Sequence, residues 1–182
     1  MKTVSIQHSM LIIHLASLVV IYKQRKNMFK KALVLALPVV LAGCSAPKYT
    51  AEPIAQSNQS KEITIVKDNA TRAVFLDSLQ EWCLDTARKC TVVSDGTAPK
   101  ADELTLTYVS RWSWDFRTFI ADAKINAYKN DQKVGQVEFK APNNGNLDKF
   151  GTDTKRIESM IKILFGEQTI SDAQQKIKSG EI

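Results

Sequence analysis

Within residues 104–116, Leu104, Leu106, Tyr108, Trp112, Trp114 and Phe116 fall at alternate positions. Glu103, Thr105, Thr107, Arg111, Ser113 and Asp115 take the other parity. Successive side chains of a strand point to opposite faces, so a period of two predicts one buried and one wet face. Phe119, Ala121, Ala123, Ile125 and Ala127 alternate in the same way against Thr118, Asp122, Lys124 and Asn126. Their small members leave room for the aromatics of the preceding strand. A polar turn, 129–133, with Asn130 and Asp131, then leads to a strand through Val137 and Phe139. The expectation is an antiparallel meander. Trp112 and Trp114 are in phase with the apolar set and are read as core, the alternative being an aromatic binding site. Arg111, Asp115 and Arg117 point the other way and are the expected partner-facing residues.

Upstream, Ile63-Thr64-Ile65-Val66 is a β-branched strand signal, and Asp68 and Asn69 supply helix-capping chemistry. Phe75, Leu79, Trp82 and Cys83 follow at helical spacing, and Cys90-Thr91-Val92-Val93 is a second strand. Downstream, Ile157, Met160, Ile161, Leu164 and Phe165 mark one face of a second helix, which Gly166 should stop. The predicted order is strand-helix-strand-strand-strand-strand-helix. It implies an α/β (α+β) two-layer sandwich, a mixed sheet of about five strands with both helices on one face and a right-handed parallel crossover at its start. The other face, carrying Glu103, Arg111 and Asp115, is left for water or for a partner. The single domain is expected over residues 62–166. Residues 44–61, small, polar and broken by Pro47 and Pro53, read as a flexible tether. Residues 167–182 read as a polar tail that either forms a short helix near 171–177 or frays.

The start of the chain is of a different kind. Lys30 and Lys31 precede a short apolar run, 32–41, that ends in Leu41-Ala42-Gly43-Cys44. A basic segment, an apolar segment of roughly ten residues and a small-residue cleavage site make a secretory signal. A cysteine directly after Leu-Ala-Gly resembles a bacterial lipobox; the plainer alternative is a secretory signal with a chance cysteine. The resemblance implies diacylglycerol transfer to the Cys44 sulfur, cleavage before Cys44, and fatty acylation (palmitate or similar) of the new amino terminus. Ser45, rather than aspartate, implies delivery to the outer membrane, facing the periplasm. The signal has ordinary proportions if translation begins at Met28, which makes residues 28–43 the signal peptide and residues 1–27 an over-called start or, alternatively, half of a double leader. The apolar stretch 10–22 inside that extension is 13 residues long, short of the roughly 20 that cross a bilayer.

This leader also changes the charge argument. Six of the 25 Lys and Arg precede Cys44 and all 19 Asp and Glu follow it, so residues 44–182 carry 19 of each sign. The overall pI near 9.2 is therefore no sign of a nucleic-acid partner. Both histidines, His8 and His14, also lie in the leader. A mature chain without histidine has no Ser-His-Asp or Cys-His catalysis and no HExxH-type zinc site. The scattered glycines form no phosphate loop, and no metal ligands cluster. No enzyme, cofactor or metal is expected. Cys83 and Cys90 remain; in an oxidising compartment the pair invites a disulfide pinning the helix end to the next strand. A redox-active pair and two unpaired thiols are the alternatives.

Arg111-Trp112-Ser113-Trp114-Asp115, Gly135-Gln136-Val137-Glu138-Phe139, and Lys149-Phe150 ahead of Ile157 and Leu164-Phe165 together resemble a family of small gammaproteobacterial outer-membrane lipoproteins without an assigned activity. The resemblance covers most of residues 63–165 and implies location rather than chemistry. At the level of element order the chain is similar to lipoproteins that activate peptidoglycan synthases and to the curli secretion lipoprotein, a likeness of fold that does not carry function. The expected role is a non-catalytic accessory or regulator of an envelope protein assembly, held to the membrane through Cys44. The alternative is a periplasm-facing binding module for a small molecule, lipid or glycan.

Overall fold

The computed structural model describes residues 46–142 and 145–182. The leader, the start-codon question and Cys44 all lie outside these residues. Six strands form one sheet: β1 (Lys48–Glu52), β2 (Glu62–Val66), β3 (Lys89–Val93), β4 (Leu104–Asp115), β5 (Arg117–Lys129) and β6 (Gln132–Lys140). Their spatial order is β1-β6-β5-β4-β2-β3. β2 runs parallel to both β3 and β4, and the other pairs are antiparallel. Three α-helices complete the fold: α1 (Ala73–Asp85), α2 (Asp153–Leu164) and α3 (Ile170–Lys178). The mixed α+β architecture and the parallel β2-α1-β3 unit follow the expectation. The strand count does not.

The extra strand is β1, inside the stretch read as a tether. It pairs with β6 from Lys48↔Lys140 to Glu52↔Gln136, and Tyr49 and Ile54 are buried. Pro47 and Pro53 flank the strand without interrupting it, and a strand at the edge of a sheet tolerates prolines beside it. Tyr49 stacks obliquely on Phe139, ring centroids 5.0 Å apart. Ile54 donates its backbone N–H to Leu164 O at 2.8 Å. Gly135 makes room for it, since a Cβ there would stand 2.7 Å from Ile54 Cγ1.

The polar tail is also built into the body. Thr169 and Asp172 close a reciprocal capping box at the start of α3, and Ala173, Ile177 and Ile182 are buried. Ahead of it, Glu167 accepts a hydrogen bond from Trp82 Nε1 at 3.0 Å and pairs with Arg88 at 3.0 Å.

Local chemistry accounts for most boundaries. α2 ends at Gly166, whose φ of +72° lets Gly166 and Glu167 donate back to Ile163 and Lys162 carbonyls. The β5–β6 turn places both Asn130 and Asp131 at positive φ, the tight hairpin geometry these residue types tolerate. α1 begins at Ala73 rather than beside Asp68 and Asn69; Asp68 instead accepts from Ala70 N and Thr71 Oγ1 in the preceding turn.

The core lies between helices and sheet. Phe75, Leu79 and Trp82 of α1 and Ile157, Met160, Ile161 and Leu164 of α2 meet Ile63, Ile65, Leu104, Leu106, Ile125, Val137 and Phe139. Phe75 stacks on Tyr108 with centroids 4.9 Å apart. Each such side chain contributes roughly 1.5–3 kcal/mol by leaving water. Cys83 and Cys90 form a disulfide, Cα atoms 6.1 Å apart, tying the end of α1 to β3.

Candidate functional site

The β4–β5 hairpin is the longest element, and it does not keep one phase. Arg111 pairs with Asp122, but Trp112 pairs with Ile120, so Ala121 is extra. Beyond this bulge the parity of β5 is inverted relative to its partner. Phe119, Ile120 and Ala121 are all buried in succession. Phe119 now shares a face with Ser113 and is met edge-on by Phe150 of a short 3-10 turn, Leu147–Phe150. The structure thus covers the far half of the hairpin from the side that faces away from the helices.

The two tryptophans of this hairpin have different surroundings. Trp112 is half-buried, with the Arg72 guanidinium 4.7 Å from its ring centroid and its Nε1 donating to Ser110 Oγ. Trp114 is 72 % exposed and Phe116, at the turn, 88 %. The core assignment therefore fails for Trp114 and Phe116, because the twisted hairpin runs past the end of the helical layer. Phe116 also holds a φ of +61°, a left-handed conformation that non-glycine residues seldom adopt.

The expected partner-facing residues are engaged with the protein itself. Arg111 is exposed and forms an ion pair with Asp122 on the facing strand. Asp115 pairs with Lys149, whose side chain is almost wholly buried beside the Phe119 and Phe150 rings. Arg117 lies over Phe150, its centroid 5.7 Å away, and donates to Gly151 O at 3.5 Å. Only Arg111 belongs to the broad open face; Asp115 and Arg117 frame the hairpin tip.

That open face spans the sheet on the side opposite the helices. One row of partners runs Lys48, Lys140, Asp122, Arg111 across β1, β6, β5 and β4. The next row inward includes Thr50, Glu138, Lys124 and Val109. Lys124 and Glu138 pair at 2.5 Å. Val109 is a large apolar side chain exposed among these charges. Two open depressions lie here, of about 460 Å³ beside Lys48, Thr50, Glu138 and Lys140 and about 380 Å³ beside Val109, Arg111, Asp122 and Lys140. Farther along, Thr64 donates to Glu103 at 2.8 Å, which with Lys100 nearby holds the Glu103 carboxyl below its ordinary range.

One polar cluster was not anticipated. Arg156 is fully buried, donates to the carbonyls of Lys149 and Asp148, and lies over Phe139. Burial lowers its pKa and raises those of Tyr49 and Asp153. Asp153, at the first position of α2, has one buried oxygen without a partner. Gly151 sits so close to Arg156 and the Ile182 main chain that a Cβ would clash. The cluster welds α2, the 3-10 turn and the chain end together. A buried arginine on a helix with an apolar stripe carries no sequence signal of its own.

Among the described residues no group of three or more His, Cys, Asp or Glu could hold a metal, and no helix is long and apolar enough to cross a membrane. No protein-family model matches the chain, and a search of curated proteins finds no match either.

Proposed function

We propose that this is a lipid-anchored envelope protein, held to the periplasmic side of the outer membrane by Cys44, that acts by contact as a non-catalytic accessory of an envelope protein assembly. The observation that carries the reading is the open sheet face: broad, and lined with charges of both signs around the exposed Val109. Backbone held in a sheet presents such side chains at fixed spacing, which suits recognition of a matching protein surface. Its depressions are open rather than enclosing, whereas small-ligand sites bury most of their ligand. The space between helices and sheet, where a binding module of this architecture would hold its ligand, is occupied by Phe75, Leu79, Trp82, Tyr108 and Ile161.

A photo-crosslinking side chain at Val109, in cells expressing the full chain, tests this. A discrete protein adduct that disappears on Arg111→Glu or Lys124→Glu is the expected result. Absence of any adduct, together with a small molecule copurifying stoichiometrically, would replace the contact reading with the binding-module one. Mass analysis of the amino-terminal peptide tests the anchor separately.

A further inference from the structure

Three of the five exposed large hydrophobics among the described residues, Trp114, Phe116 and Leu147, lie at one end of the sheet. Trp114 and Phe116 form the β4–β5 tip. Leu147 belongs to the turn locked to that hairpin through Lys149–Asp115 and Phe150–Phe119. β1 begins at the same end: Lys48 stands in one row with Lys140, Asp122 and Arg111, and β4 continues past Arg111 to Asp115.

Two lengths then coincide. Four chain steps, through Ser45, Ala46 and Pro47, lead from Cys44 to Lys48, so the Cα of a lipid-bearing Cys44 can stand no more than about 14 Å from the start of β1. The hairpin extends four residues beyond the row of Lys48, to Asp115, with Phe116 at the turn, a projection of about 13–16 Å at roughly 3.3 Å per residue. A tether of 18 residues would have let the body hang free of the bilayer. With β1 folded into the sheet, a lipid carried on Cys44 is within chain reach of the plane to which the aromatic tip projects.

The composition of the tip matches that plane. Tryptophan favours the headgroup level, phenylalanine and leucine bury apolar surface at the headgroup–acyl boundary, and arginine places its charge among phosphates while its stem stays in apolar surroundings. Arg117 flanks the tip. Phe116 occupies a left-handed position where glycine or asparagine would be easier, so an exposed phenylalanine is kept there against backbone preference. Resting on the lipid-anchored reading, we propose that the β4–β5 tip, Trp114 and Phe116 with Leu147 beside them, is a second membrane contact that dips into the phospholipid headgroup region and fixes the sheet upright on the bilayer.

The test uses full-length protein, processed in cells, purified and reconstituted into phosphatidylethanolamine–phosphatidylglycerol vesicles with or without dibrominated acyl chains. A Trp112→Phe protein leaves Trp114 as reporter and Trp82, buried at the opposite end of α1, as internal control. Bromine should cause a loss of emission that vanishes when Trp114→Phe is added. Equal emission in both vesicle types, with a lipid found on Cys44, overturns the proposal while sparing the anchor and assigns the tip to a protein surface. An amino-terminal peptide without lipid overturns the anchor reading, and this proposal with it. Should Trp112→Phe fold poorly, the same comparison is made between wild type and Trp114→Phe alone.

Discussion

Lys149 reaches beneath the β4–β5 hairpin to pair with Asp115, its ammonium group 5.1 Å from the Phe150 centroid and its side chain only 4 % exposed. A residue expected to face a partner is thereby the counter-charge of a buried lysine. Removing one member of such a pair leaves the other charge desolvated. Asp115→Ala is expected to destabilise the fold by about 1–2 kcal/mol, less than a fully buried pair because Asp115 still meets water. Chemical denaturation checks this; a change within the noise would place Asp115 back among the freely exposed residues.

The Cys83–Cys90 bond closes a loop of seven residues' separation between the end of α1 and β3. Chain-entropy arguments assign it about 2–3 kcal/mol. Cys83→Ala with Cys90→Ala should lower the denaturation midpoint accordingly, and wild-type protein should resist alkylation until reduced.

Ala87 follows α1 with φ of +50°, and Arg88 N donates back to Cys83 O at 2.8 Å. This is the helix-ending arrangement that glycine normally fills, as Gly166 does after α2. Ala87→Gly is expected to raise stability by about 0.5–1 kcal/mol, since relief from the left-handed penalty outweighs the added freedom of the unfolded chain. A lower melting temperature would contradict it.

The meander, the β2-α1-β3 crossover and the α2 stripe were legible because period and turn chemistry agree locally with the final fold. Two features were not. β1 is short and polar, and it is stabilised by β6, far away in sequence; only the Tyr49, Ala51, Ile54 spacing hinted at it. The bulge at Ala121 has one trace, Ile120 breaking the alternation between Phe119 and Ala121. α3 falls on the short helix that was one of the two readings of residues 167–182, and Thr169 and Asp172 at capping-box spacing are the signal that favours it over fraying. Of the candidate site, the charges of the open face followed from parity, while the exposed tip depended on where the helical layer ends.

Asp153 makes the fold respond to acid in an unusual direction. Burial raises its carboxyl above the ordinary 3.8, against a hydrogen bond from the Ile120 backbone and the pull of Arg156, Arg117 and Arg72. A folded state that binds the proton more tightly than the unfolded state loses stability as pH rises through the unfolded value toward the folded one, and changes no further above it. Asp153→Asn removes this slope. The stability difference, wild type minus Asp153→Asn, should therefore be most favourable to wild type in acid, decline as pH rises from about 3.8, and become flat once the carboxyl is ionised in the folded protein as well. Melting temperatures of both proteins across that range decide the matter; a difference that grows with pH would reverse the sign and the argument.

The three tryptophans should separate by environment. Trp82 is buried, tilted against Phe165 with centroids 4.6 Å apart and hydrogen-bonded to Glu167. Trp82→Ala should cost about 3–5 kcal/mol, as large aromatic deletions in cores do. Trp114 is largely in water, and Trp114→Ala should stay within about 0.5 kcal/mol. Trp112 lies between, half-buried under Arg72, so Trp112→Ala should cost about 1–2 kcal/mol, lost packing and the cation–π contact together. Thermal denaturation of the three variants gives the ranking directly. If Trp114→Ala were as damaging as Trp82→Ala, the hairpin tip would have to fold back onto the body, and neither the exposed aromatic pair nor a bilayer contact through it would survive.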